Sequence, residues 1–247
     1  MKAKEQSTFE FQNDSHSKKS LVFDTGPIIT LAMNNLLWIL RPLKEKFQGD
    51  FYITSGVRRE CVERPLASKK FKFEALEILD LIEEGIIKEY DDPKLKDNSL
   101  ELLTVTNSLF KARGKYIRNV QYAEVEAISA AKMLSADAVV IDEFITRTIF
   151  ESPELVKKRM ERKLNVRVDQ DKNNLLLLKK ETKWLRIIRS FELVTIAYEL
   201  GLFEKFYPKT LSNPKKTLLE GLLWATKLNG CSVTEKEISE VMKIENF

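Results

Sequence analysis

The chain has one histidine, two cysteines and no long apolar run among its 247 residues. The histidine, His16, lies in a polar N-terminal stretch. That argues against a histidine general base and against a multi-histidine zinc centre. Cys61 and Cys231 match no metal-ligand spacing and make no disulfide framework, so they read as buried thiols in a reducing compartment. No apolar segment is long enough to span a membrane and no signal-peptide pattern opens the chain, so the expected location is cytoplasmic. A glycine-rich phosphate loop is missing, which argues against a dinucleotide enzyme. Internal repeats and low-complexity tracts are missing as well.

What is present supports a packed core. Apolar residues make up 43% of the chain and charged residues 32%. The length suits one large α/β domain, or one domain with an appendage. Net charge is only +4, a mild preference for polyanions. Basic side chains cluster at residues 68–72, 111–118 and 157–163. Each cluster reads first as a solvated helix face and second as a contact for phosphate.

Residues 1–18 are polar and of mixed charge, and are expected to form a flexible segment. Residues 19–24 read as a buried strand, and Gly26-Pro27 opens a helical stretch to about Phe47. Residues 51–54 predict a second strand, followed by a short helix through Val57, Glu60 and Cys61 that Pro65 ends. Residues 68–84 are amphipathic, with Phe73, Leu76, Leu79, Leu81 and Ile82 as the core face. A strand at 86–90, helices near 98–113 and 121–135, and a strand at 137–142 continue the alternation. Such alternation means a parallel sheet with crossover helices. The stretch 152–183 breaks the rhythm. It reads as an inserted helix after Ser152-Pro153, then a hairpin whose arms, 166–169 and 175–178, flank Asp171 to Asn174. A strand at 184–189 and a helix at 190–200 closed by Gly201 follow. Two tail helices complete the chain, the second with a capping box of Thr234 and Glu237. The expected division is a flexible segment 1–18, a domain over 19–203, and a helical extension over 204–247.

Asp24 and Asp142 each end an apolar run, Ser20 to Phe23 and Ala138 to Ile141. In an open parallel sheet, ligands bind outside the carboxyl ends of the strands, so the two aspartates are expected to share a surface. Glu124 falls about 60° from the centre of the apolar stripe of its helix at roughly 100° per residue, whereas Glu126 points to the far side. An ionised carboxylate on an inward face is costly unless a cation or donor meets it. Glu60 lies near Val57 and Cys61 on the short helix, and Glu143 adds charge beside Asp142. Clustered carboxylates of this kind suit hard divalent cations, Mg²⁺ or Mn²⁺. The plainer alternatives are a helix cap for Asp24 and a salt bridge from Glu124 to Arg147 or Arg189.

Four segments together resemble a known family. Val22 to Ile29 resembles the opening strand and turn of PIN-domain ribonucleases, and Tyr52 to Glu60 resembles their second motif. Ala123 to Ala131 resembles the third, an acid opening a helix of small residues, with Ala123 where glycine is common. Val139 to Arg147 resembles the fourth, with paired acids and a trailing arginine. The similarity covers roughly residues 19–150 and resumes from Ile188 to Gly201. It implies a Rossmann-like α/β fold with a mainly parallel sheet flanked by helices, and metal-dependent cleavage of single-stranded RNA. On that resemblance Asp24, Glu60, Glu124 and Asp142 are the catalytic acids. Asp24, Glu124, Asp142 and Glu143 are the expected ligands of Mg²⁺ or Mn²⁺, and Thr25, Arg147, Arg189 and Ser190 the expected contacts of substrate or attacking water.

Three other readings compete. A haloacid-dehalogenase phosphatase needs a second aspartate two residues after Asp24, where this chain has Gly26. A response-regulator receiver needs an acid pair near the first strand, and none is there. A non-catalytic RNA- or protein-binding module on the same fold is the serious rival. In that reading the tail leucines, Leu218, Leu219, Leu222 and Leu223, with Trp224, form a homodimer or partner surface, whereas ordinary packing onto the sheet is the simpler expectation.

Overall fold

The structure, a computed structural model, describes residues 18–207 and 210–247. The expected flexible segment, with His16, lies almost wholly outside the described residues. The chain opens with β1 (Ser20–Phe23) and α1 (Thr25–Met33). A 3₁₀ turn (Leu37–Ile39) then leads into α2 (Leu40–Phe47). The expected continuous helix to Phe47 is thus broken, at Asn34-Asn35, where Asn35 takes a positive φ of 53°. Next come β2 (Asp50–Thr54), α3 (Ser55–Arg58), a π turn (Arg59–Glu63) and α4 (Arg64–Ala67). Pro65 therefore does not end this helix. It lies inside a continuous helical run from Ser55 to Ala67, where the π turn before it, with Arg64 N–H bonding back to Arg59 O, makes room for the missing N–H.

Then follow α5 (Lys72–Glu83), β3 (Ile87–Tyr90) and α6 (Leu95–Asn107). In α5 the buried residues are Ala75, Ile78 and Leu81; Phe73 and Leu76, expected in the core, are 70% and 53% exposed. After α6 the chain forms a hairpin, β4 (Phe110–Ala112) and β5 (Lys115–Tyr116), where the sequence predicted helix to residue 113. The reason is local: Arg113 and Gly114 both have positive φ, 50° and 76°, the geometry of a two-residue hairpin turn. The long helix α7 (Tyr122–Leu134) leads to β6 (Ala138–Val140). It is followed by α8 (Phe144–Glu151), α9 (Pro153–Leu164), β7 (Val168–Gln170) and α10 (Lys172–Glu181). The predicted hairpin over 166–178 is thus wrong in its second arm. Asp171 accepts a hydrogen bond from Asn174 N–H at 3.0 Å and caps a helix instead of turning a hairpin. β7 finds its partner in β4. The chain ends with β8 (Ile187–Ile188), α11 (Ser190–Glu199), α12 (Pro214–Leu228) and α13 (Glu235–Ile244).

The main sheet is parallel in the order β3-β2-β1-β6-β8, and a second, antiparallel sheet has the order β5-β4-β7. From β1 the chain winds outward through β2 to β3, then crosses to β6 on the other side. The order therefore reverses between β1 and β6, and the crevice beyond their carboxyl ends is the topological switch point.

Side chains of a strand alternate between the two sheet faces. Leu21 and Phe23 of β1, with Ala138 and Val140 of β6, enter one core beneath α1, α2, α5, α11, α12 and α13. Val22, Val139 and Ile141 enter the opposite core beneath α7. A third cluster, including Leu109, Phe110, Val156, Met160, Val168 and Leu178, lies inside the lobe of the small sheet. Leu219, Leu222 and Leu223 are buried in the first core, with Leu218 and Trp224 half-buried against it, so the tail leucines pack onto the domain. Among the described residues no helix is long and apolar enough to cross a membrane.

Candidate active site at the switch point

Alternation also decides where each acid goes. Asp24 follows Val22 by two positions in extended backbone, with φ −77° and ψ 168°, and turns to the α7 face. Asp142 follows Val140 by two positions and turns to the opposite face, towards α1 and α11. The two strand ends do adjoin, for Asp24 N–H donates to Val140 O at 3.0 Å. A Cβ built on Gly26 would lie 3.4 Å from Asp142 Cβ and 3.7 Å from Asp24 Oδ2. The two acids thus flank Gly26 but have different neighbours: Asp142 binds Thr30 and Ser190, whereas Asp24 feels Glu124 and Glu60.

On the α7 side, Asp24 is 3% exposed and its Oδ1 has no hydrogen-bond partner. Burial, then the charge of Glu124 and that of Glu60, push its carboxyl up to about 7. Glu124 closes a capping box at the start of α7, accepting from Gln121 N–H at 2.8 Å. Its pKa is raised by burial and by the charges of Glu143 and Glu60, against hydrogen bonding from Gln121 and the nearby Thr146. Glu60 accepts from Thr25 Oγ1 at 2.8 Å and meets Arg64 at 3.5 Å. Glu143, extended at φ −73° and ψ 128°, caps α8 by accepting from Thr146 N–H. Thr146 Oγ1 is buried and lies close to the Glu124 carboxylate, outside good hydrogen-bond geometry. Glu124 and Glu60 therefore act on Asp24, and Glu143 and Glu60 on Glu124, with Thr25 bonded to Glu60 and Thr146 to Glu143.

Asp142 is 2% exposed and engaged with three donors. Its Oδ1 accepts Ser190 N–H at 2.7 Å, and its Oδ2 accepts Ser190 Oγ at 2.6 Å and Thr30 Oγ1 at 2.7 Å. Its own carbonyl accepts Ser232 N–H at 3.0 Å. Ser190, expected to orient water or phosphate, is instead a fully buried partner of Asp142. Arg189, expected at the substrate, is 8% exposed, and its guanidinium is held by Glu192, Glu237 and Ser232 O. It ties α11 to α13. Arg147 pairs with Glu151 at 3.0 Å and leaves its buried Nε without a partner. Neither arginine pairs with the clustered acids.

Glu126, predicted to face away from the core, is buried instead. It is 5% exposed and accepts Gly56 N–H at 2.9 Å. The apolar stripe of α7 is a poor guide because the helix is covered on more than one side, with Val125 in the lobe cluster and Ala127 and Ile128 in the sheet core. A cavity of about 460 Å³ between α6, α7 and α10, with Leu102, Met133 and Trp184 in its wall, does not reach the acids.

The chain matches a family model described as a PIN domain over residues 20–156. It belongs to the PIN-domain family. No curated protein and no solved structure matches it. The PIN match runs from β1 into α9, and so includes Asp24, Glu60, Glu124, Asp142 and Glu143. The parallel sheet flanked by helices is the PIN architecture that the sequence predicted. PIN domains are generally nucleases and typically use divalent metals. Among the described residues, no three of His, Cys, Asp or Glu gather closely enough to enclose an ion in this conformation. The donor chemistry fits a hard cation all the same: oxygen ligands only, one orphaned carboxylate oxygen on Asp24, and neighbouring acids whose charge raises the pKa of Asp24 and of Glu124.

Proposed function

We propose that this PIN-domain protein is a Mg²⁺- or Mn²⁺-dependent nuclease acting on single-stranded RNA, with Asp24, Glu60, Glu124 and Glu143 as its acidic set. The observation that carries the reading is Asp24: buried, lacking a partner at Oδ1, and pushed up to about 7 beside two other acids. A cation held by these carboxylates would lower the pKa of a bound water and offset charge on the phosphorus oxygens.

The residues supply the rest. Gln121 fixes the Glu124 carboxylate through the capping box, and Thr25 fixes that of Glu60. Thr146 N–H orients Glu143. Asp142 binds the start of α11 and Thr30 of α1 through three hydrogen bonds, and so positions the crevice.

The test uses labelled single-stranded RNA with Mn²⁺, with Mg²⁺ and with chelator, comparing the native protein with Asp24→Asn and Asp142→Asn. Metal-dependent cleavage that Asp24→Asn abolishes and Asp142→Asn retains in part supports the reading. Absence of cleavage with RNA still bound by all three proteins favours a non-catalytic binding module. Equal cleavage by native protein and Asp24→Asn rejects Asp24 as part of the centre.

A further inference from the structure

The small-sheet lobe is strongly basic. Residues 109–120 carry four basic side chains and no acid, and residues 153–167 carry six basic and two acidic ones, against a net +4 for the whole protein. These two segments are far apart in sequence, but β7 pairs with β4, with Ala112 opposite Val168 and Lys111 opposite Asp169. The hairpin tip, Arg113, therefore stands near the end of α9.

The lobe adjoins the acids at two points. Arg118 lies three residues before Gln121, whose backbone N–H the Glu124 carboxylate accepts. On the other side, α9 doubles back along α8 after the single residue Ser152. Arg159 is thereby placed over the ring of Phe144, 4.4 Å from guanidinium carbon to centroid, next in sequence to Glu143. Arg162 and Lys163 lie about 5–6 Å further along the helix axis, and so extend past the end of α8 that bears Glu143. On α9 the buried positions are Pro153, Val156 and Met160, while Arg159, Arg162 and Lys163 share an exposed face. Among the described residues Arg113, Arg118, Arg159, Arg162 and Lys163 make no ion pair. Surface cations near acids tend to pair with them; these make no ion pair among the described residues.

We propose that this lobe is an RNA-backbone clamp, in which the exposed face of α9 and the β4–β5 hairpin hold the strand that flanks the acidic crevice. The proposal rests on the nuclease reading for the identity of the polyanion. Unpaired guanidinium and ammonium groups in a row recognise successive phosphates and carry no base code, so the clamp is expected to be indifferent to sequence. It also gives the inserted segment a use that the parallel sheet does not require.

The test separates the clamp from the chemistry. Full-length protein in chelator, where metal-dependent cleavage is off, is titrated with a labelled single-stranded RNA of about 20 nucleotides at several salt concentrations. Arg159→Ala/Arg162→Ala/Lys163→Ala is expected to bind at least tenfold more weakly. Its log Kd against log salt should flatten by roughly 2, at about 0.7 for each phosphate of a single strand that is no longer neutralised. Arg113→Ala/Arg118→Ala should weaken binding in the same direction. Lys69→Ala/Lys70→Ala/Lys72→Ala removes equal charge elsewhere and should change neither quantity. With Mn²⁺ present, the α9 variant should cleave the long RNA more slowly but a dinucleotide at the native rate. Unchanged RNA affinity in the α9 variant, or an equal loss in the Lys69/Lys70/Lys72 variant, overturns the clamp. Failure of all proteins to cleave would reject the nuclease reading and leave the binding result to decide the clamp independently.

Discussion

Asp142 and Ser190 grip each other through two hydrogen bonds, from Ser190 N–H to Oδ1 at 2.7 Å and from Ser190 Oγ to Oδ2 at 2.6 Å. With Thr30 added, the carboxylate serves three donors from two helices on one face of the sheet. Asp142→Ala would leave these donors buried and unpaired, and is expected to cost about 3 kcal/mol of stability. Ser190→Ala removes one of them and should cost about 1–2 kcal/mol. Denaturant unfolding measures both. Asp142→Asn should keep its thermal shift on adding Mn²⁺, whereas Asp24→Asn should lose it. An equal loss in both would place Asp142 among the ion's ligands.

Asp24 sets a pH dependence with a definite sign. Its folded-state pKa of about 7 lies above the ordinary aspartate value, so the folded protein binds more protons than the unfolded chain between about pH 4 and 7. Without divalent cation, stability should fall as pH rises through that window and level off above it. Asp24→Asn should remove this slope and be the more stable protein at pH 8, by roughly 1–3 kcal/mol. A cation must displace that proton, so the Mn²⁺-induced thermal shift should grow as pH rises through 7. A metal-induced shift that is flat from pH 5.5 to 8 would count against Asp24 as a ligand.

Glu124 is the first-ranked charge acting on Asp24, so Glu124→Gln should move that pH transition downward. Cleavage by this variant should drop at least a hundredfold if Glu124 holds the ion, on the order of 3 kcal/mol in the barrier. Gln can still accept from Gln121 N–H, so the capping box and the fold should survive, as circular dichroism can check.

Arg189 ties α11 to α13 through Glu192 and Glu237. Arg189→Ala leaves two partly buried carboxylates without their cation and should cost about 3 kcal/mol. Affinity for RNA should be unchanged at temperatures where the variant is folded. A selective rise in KM with stability intact would return Arg189 to the substrate.

Gly56 admits the Glu126 carboxylate to the start of α3. A Cβ there would lie 2.4 Å from Glu126 Oε2, so Gly56→Ala should cost about 1–3 kcal/mol through displacement of the buried acid. The double variant with Glu126→Ala should be destabilised by less than the sum of the two single changes. Strict additivity would show that the pair is not coupled.

The sequence alone determined the parallel α/β architecture, because apolar runs alternating with amphipathic stretches have few other ways to bury themselves. It also named the acids at the strand ends, and the capping box of Thr234 and Glu237, whose signals are local. The hydrogen-bond partners that distinguish Asp142 from Asp24 were not legible, because the sequence places both at one shared surface. Only the tertiary structure decided the rest. The partners of Asp142, and those of Arg189 other than the nearby Glu192, come from α1, α11, α13 and the segment before it, over separations of 43 to 112 residues. Glu126 is buried because α3 covers a side of α7 that its own periodicity assigns to solvent. β7 left its expected hairpin for β4 because a strand's hydrogen bonds are satisfied by whichever edge the fold brings to it, and periodicity within a segment carries no record of that edge.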